Sequence, residues 1–250
     1  DNAFILLNED EKRLLKSNFV NEGKIYLQSI SSLIPPLILE PKENEKILDL
    51  AASPGSKTTQ IAALTNNRSL IDAVEPDFIR MERLKYNIEL LNATMVNLYN
   101  TNGQQFCKDK KNYYDRILLD APCSGEGRFG IHDKKSYYNW KLKDIEKISN
   151  LQKKLLKSAL YSLKSDGVLV YSTCTLNIFE NEMVIDDILK DSDLSIEIVP
   201  ISEKFRNIKE SYPPILSYQG TKFDDRIKNA LRILPSKNLE GFFITKIKKH

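Results

Sequence analysis

Histidine and cysteine are scarce in this chain of 250 residues, which has two of the former and three of the latter. Two histidines are too few to predict a zinc site or a Ser-His-Asp triad, so we expect no metal. Three cysteines without a Cys-x-x-Cys pair exclude a disulfide framework and favour a reducing compartment. No apolar run approaches the roughly 20 residues that cross a bilayer, and no signal peptide is recognisable. We therefore expect an intracellular protein that works away from membranes.

Two nucleotide-binding signatures are also missing. Without Gly-x-Gly-x-x-Gly there is no pyrophosphate cradle for NAD, and without Gly-x-x-x-x-Gly-Lys there is no P-loop. The net charge of +3 says little about partners. Lysines cluster at 108–111, 134–135, 153–154 and 246–249. Such clusters are typical of a solvated surface, although a nucleic-acid-binding face stays open.

The apolar pattern predicts an α/β fold. Short apolar runs predict strands at 47–51, 70–75, 95–99, 116–120 and 167–173, and amphipathic stretches predict helices at 57–64, 76–91, 180–189 and within 140–163. Alternation of this kind favours right-handed βαβ units around a mostly parallel sheet. Two later runs, at 195–199 and 241–247, predict an antiparallel edge pair. Residues 1–40 do not fit the alternation, so we expect them to form an N-terminal packing segment.

The first two predicted strands end in residues that suit a nucleoside. Small residues follow the first strand in Ala51-Ala52-Ser53-Pro54-Gly55-Ser56, where the backbone can approach a ligand closely. Glu75 ends the second strand, and its carboxylate can accept both hydroxyls of a ribose. Adenosine without pyrophosphate, as in S-adenosylmethionine, fits this pair better than NAD does. An ordinary βα turn and a surface acid are the alternative.

Two cysteines follow predicted strands and so fall at the carboxyl edge of the sheet. Cys123 lies in Leu119-Asp120-Ala121-Pro122-Cys123-Ser124-Gly125, and Cys174 lies in Tyr171-Ser172-Thr173-Cys174-Thr175. Two thiols in one crevice suggest covalent chemistry, whereas a buried cysteine alone is often a small hydrophobic residue. Cys107 has no such motif around it and is expected to be inert.

Together with Asp49-Leu50-Ala51-Ala52-Ser53-Pro54-Gly55-Ser56-Lys57-Thr58, these strings resemble the Nop2/Sun family of RNA cytosine-C5 methyltransferases over about residues 23–248. The resemblance implies a Rossmann-like class I methyltransferase fold. This fold has a mostly parallel seven-stranded sheet, helices on both faces and an antiparallel C-terminal edge strand. Residues 41–250 would be the S-adenosylmethionine-dependent catalytic domain. Residues 1–40 would be the packing segment, with the end of a truncated RNA-recognition region as one candidate for it.

The resemblance also implies where S-adenosylmethionine binds. The residues that it assigns to the cofactor are Ala51, Ala52, Ser53, Pro54, Gly55, Ser56, Lys57, Glu75, Arg80, Asn102 and Asp120. Glu75 would take the ribose, with Arg80 as a lesser contact. The chain departs from the family at Asn102, where an acid is usual for adenine, at Ala51, where Cys is common, and at Ser56, where Gly is common. An Asn oxygen still accepts a hydrogen bond, but without charge.

For the chemistry, the resemblance assigns the nucleophile to Cys174 and product release to Cys123. Asp120 would hold the cytosine and Lys57 would help to orient it. Cys123 as the nucleophile, the arrangement of the DNA enzymes, is the alternative. The expected partner is ribosomal or transfer RNA with a flipped-out or single-stranded cytosine, bound by a monomer in the cytoplasm, or in the nucleus or nucleolus of a eukaryote. A catalytically silent RNA-binding scaffold and a nicotinamide oxidoreductase are the competing hypotheses.

Overall fold

Strands and helices alternate along most of the chain in a computed structural model, which describes residue 6 and residues 11–130, 132–138, 140–191 and 193–250. The helices are α1 (Glu11–Leu15), α2 (Asn18–Asn21), α3 (Ile30–Leu39), α4 (Ser56–Leu64), α5 (Phe78–Leu90), α6 (Gly103–Cys107), α7 (Leu142–Ser162), α8 (Glu182–Leu189) and α9 (Glu203–Arg206). The strands are β1 (Lys46–Asp49), β2 (Leu70–Val74), β3 (Val96–Tyr99), β4 (Tyr114–Asp120), β5 (Leu163–Thr173), β6 (Ile196–Val199), β7 (Ser211–Tyr212), β8 (Ser217–Tyr218), β9 (Thr221–Lys222), β10 (Leu231–Ile233) and β11 (Phe242–Lys249). Three short 3-10 turns lie at Glu126–Arg128, Lys134–Ser136 and Asp225–Asn229.

The main sheet has nine strands, with the order β3-β2-β1-β4-β5-β11-β10-β7 and with β6 paired to β11. Strands β1 to β5 are parallel, and the other pairs in this sheet are antiparallel. The predicted α/β class and the methyltransferase-like mostly parallel sheet are therefore confirmed. The sheet has two strands more than expected, because β10 and β7 extend it. Strand β11 is antiparallel, as predicted, but it is not an edge strand, since β10 and β6 both pair along its outer side.

The sheet packs helices on both of its faces, as expected. Successive residues of β1 point to opposite sides, so Ile47 belongs to one apolar cluster and Leu48 to the other. Helices α3, α4 and α5 cover the Ile47 side, and α7 and α8 cover the Leu48 side. This double burial explains why the parallel strands are continuously apolar rather than alternating. Among the described residues, no helix is both long and apolar enough to cross a membrane.

The segment before β1 contains a helix that packs against the sheet. Ser29 caps α3 by accepting a hydrogen bond from the backbone N–H of Ser32, and Ile34, Ile38 and Leu39 are buried. Arg116 Nη1 donates to the carbonyl of Leu39 at 2.6 Å, which fixes the end of α3 to β4. The division of the chain at residue 40 stays a prediction, and residues 1–5 and 7–10 of the predicted N-terminal segment lie outside the described residues.

Candidate active site

Strands β4 and β5 bring the two motif cysteines together. Asp120 pairs with Ser172 in the parallel register, and the N–H of Ala121 donates to the carbonyl of Ser172 at 2.8 Å. The backbone leaves the sheet soon after these residues in both strands, so both thiols lie at the carboxyl edge of the sheet. The Sγ atoms of Cys123 and Cys174 lie 3.2 Å apart, and both cysteines are free. Both sulfurs can therefore contact one bound base.

The loop after Cys123 is fixed to the loop after Cys174 by backbone contacts. The N–H of Gly127 donates to the carbonyl of Cys174 at 3.0 Å, and the N–H of Gly241 donates to the carbonyl of Gly127 at 2.8 Å. A Cβ atom on Gly127 would lie 2.0 Å from the carbonyl oxygen of Gly241. Glycine at 127 is thus required by a close backbone approach to Gly241.

A buried carboxylate supports the same loops from behind. The N–H and Oγ of Ser124 both donate to Glu180, and Gln152 Nε2 donates to Glu180 Oε2 at 3.1 Å and to the carbonyl of Pro122 at 2.8 Å. Burial raises the pKa of Glu180 above its ordinary value. Neither Glu180 nor Gln152 was assigned a role from the sequence. These two side chains hold the cysteine loops and do not face the cleft.

The two thiols are electrostatically unequal. The hydrogen bond from the Cys123 thiol lowers the pKa of Cys174, burial opposes this, and Arg128 and Lys57 lower the pKa further. The same hydrogen bond, followed by burial, raises the pKa of Cys123 well above its ordinary value. Two negative sulfurs at 3.2 Å would repel, so one proton stays between them. Cys174 therefore has the greater thiolate character, and Cys123 remains a thiol.

Asp120 and Lys57 form a charged pair beside the thiols. Lys57 Nζ lies 2.7 Å from Asp120 Oδ2 and also donates to Ser32 Oγ at 2.8 Å. Ser172 Oγ donates to Asp120 Oδ1 at 2.7 Å. The structure thus brings all four predicted catalytic residues to one place, and it adds Ser32 and Ser172 as the groups that orient them.

Arg128 is a cation of this site that sequence reasoning missed. It ends the turn after Gly125 and lines the cleft together with both motif cysteines. Among the described residues, no carboxylate lies within 4 Å of its guanidinium. A Cβ atom built on Gly125 would lie 3.2 Å from Arg128 Nη2, so the side chain folds back over its own loop. Cys174 is the largest cause of a raised pKa for Arg128. Its place five residues after Cys123 is the signal that could have found it.

The cleft has a volume of about 660 Å³, which is in the range of small-molecule sites. The predicted cofactor residues that line it are Ala51, Ser53, Pro54, Ser56, Lys57, Glu75, Arg80, Asn102 and Asp120. Ala52 and Gly55 belong to the same turn but do not line the cleft. Gly55 has a φ of +103°, and this left-handed conformation is what the turn requires of a glycine.

Glu75 is buried at the end of β2, where it faces the cleft. The N–H of Asp77 donates to Glu75 Oε1 at 3.0 Å, and Arg80 Nη2 lies 3.4 Å from Glu75 Oε2. Arg80 also donates to the carbonyl of Ser53 at 3.1 Å, which joins the first and second turns. These contacts hold the Glu75 carboxylate in one orientation, in which its two oxygens can accept hydrogen bonds from a pair of ligand hydroxyls.

Asn102 has a second role that the sequence did not suggest. Its side-chain oxygen accepts a hydrogen bond from the N–H of Gln105 at 2.8 Å and so caps α6. A carbonyl oxygen has two lone pairs, and one remains for a ligand in the cleft.

A buried carboxylate immediately before the cofactor turn leaves one oxygen without a partner. Thr58 Oγ1 donates to Asp49 Oδ2 at 2.7 Å, whereas Asp49 Oδ1 has no partner among the described residues. Burial raises the pKa of Asp49 to about 6. Glu75 and Asp120 line the cleft, whereas Asp49 is buried beneath the turn. Acidic groups of this kind fit a ligand that carries positive charge and a ribose, as S-adenosylmethionine does.

Comparison with known proteins identifies the family to which the chain is similar. The profile of the 16S rRNA methyltransferase RsmB/F family matches residues 36–248. The tRNA (cytosine(49)-C(5))-methyltransferase of Pyrococcus abyssi is 39% identical over 91% of this chain and 71% of its own length. The ribosomal RNA small subunit methyltransferase F of Aeromonas hydrophila is 34% identical over 100% of this chain and 51% of its own length.

Solved structures agree with the family match. The structure of NSun6 from Pyrococcus horikoshii with SFG is 31% identical, with a TM-score of 0.77, over 94% of this chain and 55% of that one. The chain spans 71% of the archaeal tRNA enzyme but only about half of the Aeromonas enzyme.

Proposed function

The chain belongs to the 16S rRNA methyltransferase RsmB/F family, and we propose that it transfers the methyl group of S-adenosylmethionine to carbon 5 of a cytosine in RNA. The observation that carries this proposal is the pair of unequal thiols, 3.2 Å apart, beside the Asp120–Lys57 pair. A silent RNA-binding scaffold would have no need of this arrangement. A nicotinamide oxidoreductase would need the pyrophosphate cradle that the chain lacks.

The cofactor would lie against the turn from Ala51 to Lys57. Glu75 would accept the ribose hydroxyls, Arg80 would hold Glu75 in place, and Asn102 would accept a hydrogen bond from the adenine amino group. S-adenosylmethionine supplies an electrophilic methyl group on a sulfonium. The protein has to place carbon 5 of the base in line with that methyl group.

Cys174 would make the base reactive. Its thiolate adds to carbon 6 of the cytosine, a C–S bond forms, and the electrons of the 5,6 double bond become available at carbon 5. Asp120 would hold the ring nitrogen or amino group, so that the charge that develops on the ring is stabilised. Lys57 orients Asp120 through the 2.7 Å contact and helps to fix the base. These residues would hold carbon 5 where it can take the methyl group that the sulfonium of S-adenosylmethionine supplies when it is bound.

Cys123 would act in the release step. The hydrogen bond with Cys174 is the largest cause of its raised pKa in the free protein. Once Cys174 is bound to carbon 6, its sulfur is neutral and this cause disappears. Cys123 can then lose its proton to solvent and take the proton from carbon 5, after which the double bond re-forms and the Cys174 thiolate departs. The reverse assignment, with Cys123 as the nucleophile, starts from the thiol with the higher pKa and is therefore less favourable.

The substrate would be ribosomal or transfer RNA with a cytosine that is flipped out or unpaired, because the thiols lie inside a cleft that a stacked base cannot enter. Relatives with either kind of RNA in their names match the chain. We propose that the protein works as a monomer in a reducing compartment, where both thiols stay free.

The experiment that tests this function is methyl transfer from labelled S-adenosylmethionine to total RNA from cells that lack the gene. Bisulfite sequencing then identifies the modified cytosine. We expect incorporation into one or a few cytosines, and none with Cys174→Ala. Cys107→Ala is the matched control, because Cys107 is buried away from the cleft. Incorporation that persists in Cys174→Ala, or label at a position other than carbon 5, would overturn the proposal.

A further inference from the structure

The lysine clusters of the chain differ in how their charge is used. Lys246 pairs with Glu40, Lys248 pairs with Asp166, and Lys249 donates to Asn112 and to two backbone carbonyls. In the stretch after the Cys123 loop, by contrast, none of Lys134, Lys135, Lys141 and Lys143 has a carboxylate within 4 Å among the described residues. All four are exposed. Their charge is therefore available to an anionic partner.

Exposed aromatic rings accompany these unpaired lysines. Tyr138 is 83% exposed and Trp140 is 37% exposed. We define the aromatic-basic surface as Lys134, Lys135, Tyr138, Trp140, Lys141 and Lys143. Asp133 is an acid in this stretch, and its carboxylate already accepts a hydrogen bond from the N–H of Lys135 at 3.0 Å.

The aromatic-basic surface is fixed to both thiol loops. Trp140 Nε1 donates to Glu126 Oε1 at 3.1 Å, and Asn177 Nδ2 donates to the same oxygen at 2.8 Å. Glu126 lies three residues after Cys123, and Asn177 lies three residues after Cys174. The ring of Phe129 packs against that of Trp140 at 6.5 Å and nearly at right angles. The aromatic-basic surface is thus connected to both thiol loops through Glu126.

We propose that the aromatic-basic surface is where unpaired RNA next to the target cytosine binds. The lysines contact phosphates, and Tyr138 stacks on a base. This combination of cationic side chains and exposed rings is the one that binds single strands without base readout. A duplex offers phosphates but no free base face, so stacking on Tyr138 selects a loop or single strand. The inference rests on the proposed function and deepens it, because it names the surface that binds the RNA beside the target cytosine.

The experiment measures the binding of a fluorescein-labelled single-stranded RNA of about 12 nucleotides by anisotropy, without cofactor. We expect Tyr138→Ala to weaken binding about tenfold, and Tyr138→Phe to bind as the native protein does, because the ring is what stacks. Lys134→Gln with Lys135→Gln should reduce the slope of log Kd against log salt by about 1.4, since each phosphate contact on a single strand contributes about 0.7. These positions are exposed, so the variants should melt as the native protein does.

The matched control is Lys85→Gln with Tyr86→Ala on α5, an adjacent exposed lysine and tyrosine that do not line the cleft. It should leave both the affinity and the salt slope unchanged. Equal binding by Tyr138→Ala and the native protein, or an equal loss on a duplex of the same length, would overturn the proposal. Because no methyl transfer is measured, failure of the proposed activity would leave this result interpretable, and the reverse is also true.

Discussion

The cofactor half of the cleft and its thiol half lie at the same edge of one sheet, but their polar groups are arranged differently. We use these names for the turn Ala51–Ser56 with Glu75, Arg80 and Asn102, and for Cys123, Cys174, Asp120, Lys57 and Arg128. In the cofactor half, each named polar side chain is already paired with protein, as Glu75 is with Asp77 and Arg80. In the thiol half, Asp120 and Lys57 are also paired with protein, but the thiols of Cys123 and Cys174 contact one another and line the cleft.

The difference explains where the chain departs from its family. A turn of small residues works through its backbone shape, so Ala51 and Ser56 can replace other small residues without changing it. The thiol half works through particular atoms, and there Asp120, Cys123 and Cys174 agree with the motifs. We therefore expect substitutions in the thiol half to reduce turnover strongly, and substitutions in the cofactor half to change mainly cofactor affinity.

The largest difference in stability is expected between Gly127→Ala and Gly103→Ala. The new Cβ at 127 meets the backbone oxygen of Gly241 at 2.0 Å, whereas the one at 103 meets the side-chain ends of Leu155 and Leu50 at 2.8 to 3.0 Å. Backbone cannot move aside as side chains do. We expect Gly127→Ala to reduce the free energy of unfolding by about 3 kcal/mol and methyl transfer by about 100-fold, and Gly103→Ala to cost about 1 kcal/mol. Urea unfolding measures the free energy of unfolding, and a turnover assay measures methyl transfer. Equal destabilisation by Gly127→Ala and Gly103→Ala would contradict this prediction.

A second contrast is between the two cationic side chains Lys57 and Arg80. Lys57→Met removes the partner of Asp120, so we expect kcat to fall about 100-fold with little change in the Kd of S-adenosylmethionine. Arg80→Met removes a partly exposed contact with Glu75, so we expect that Kd to rise about threefold with kcat unchanged. Calorimetry and steady-state kinetics separate the two. If Arg80→Met lowered kcat as much as Lys57→Met does, the division into halves would be wrong.

A third prediction concerns pH. Because Cys174 has a lowered pKa, its thiolate is populated at a lower pH than that of an ordinary cysteine. Arg128→Gln removes one cause of that lowering. The midpoint for alkylation of Cys174 by iodoacetamide, measured by mass spectrometry, should therefore move to higher pH. Arg128→Lys should restore most of the shift. An unchanged midpoint in Arg128→Gln would mean that Arg128 does not lower the pKa of Cys174.

The smallest effect is expected at Asn102. Asn102→Asp gives the cleft the acid that is usual in the family, and a charged acceptor binds an amino group more strongly. The Kd of S-adenosylmethionine should fall about fivefold. Aspartate is also a good helix cap, so α6 and the melting temperature should be retained. Thiol alkylation should not change. Weaker cofactor binding in Asn102→Asp would mean that this residue does not face the adenine.

Much of the fold was predictable because the strands of the parallel sheet are short apolar runs and the helices between them are amphipathic. Strands β7 and β10 were not predictable, since two or three residues have no periodicity and are strands only because they pair within the sheet. Helix α3 was missed because Pro35 and Pro36 lie inside it and argue against a helix.

In the candidate site, Asp120, Cys123, Cys174 and Lys57 were found because each lies in a local motif. Gln152 could not be found in that way, because it reaches Pro122 and Glu180 from α7, about 30 residues away in either direction. Arg128 was close to a motif, but its effect depends on how the turn folds back toward the sulfurs. The roles of all these residues stay predictions until they are tested.

The most direct test of the central claim is the mass of the covalent complex between Cys123→Ala and a methylatable RNA in the presence of S-adenosylmethionine. With the release thiol gone, we predict that a protein–RNA adduct accumulates and survives denaturation, and that peptide mapping places the bond on Cys174. No adduct should form in Cys123→Ala combined with Cys174→Ser. An adduct on Cys123 in the Cys174→Ala variant, or full turnover by Cys123→Ala without any adduct, would contradict the assignment of the two thiols.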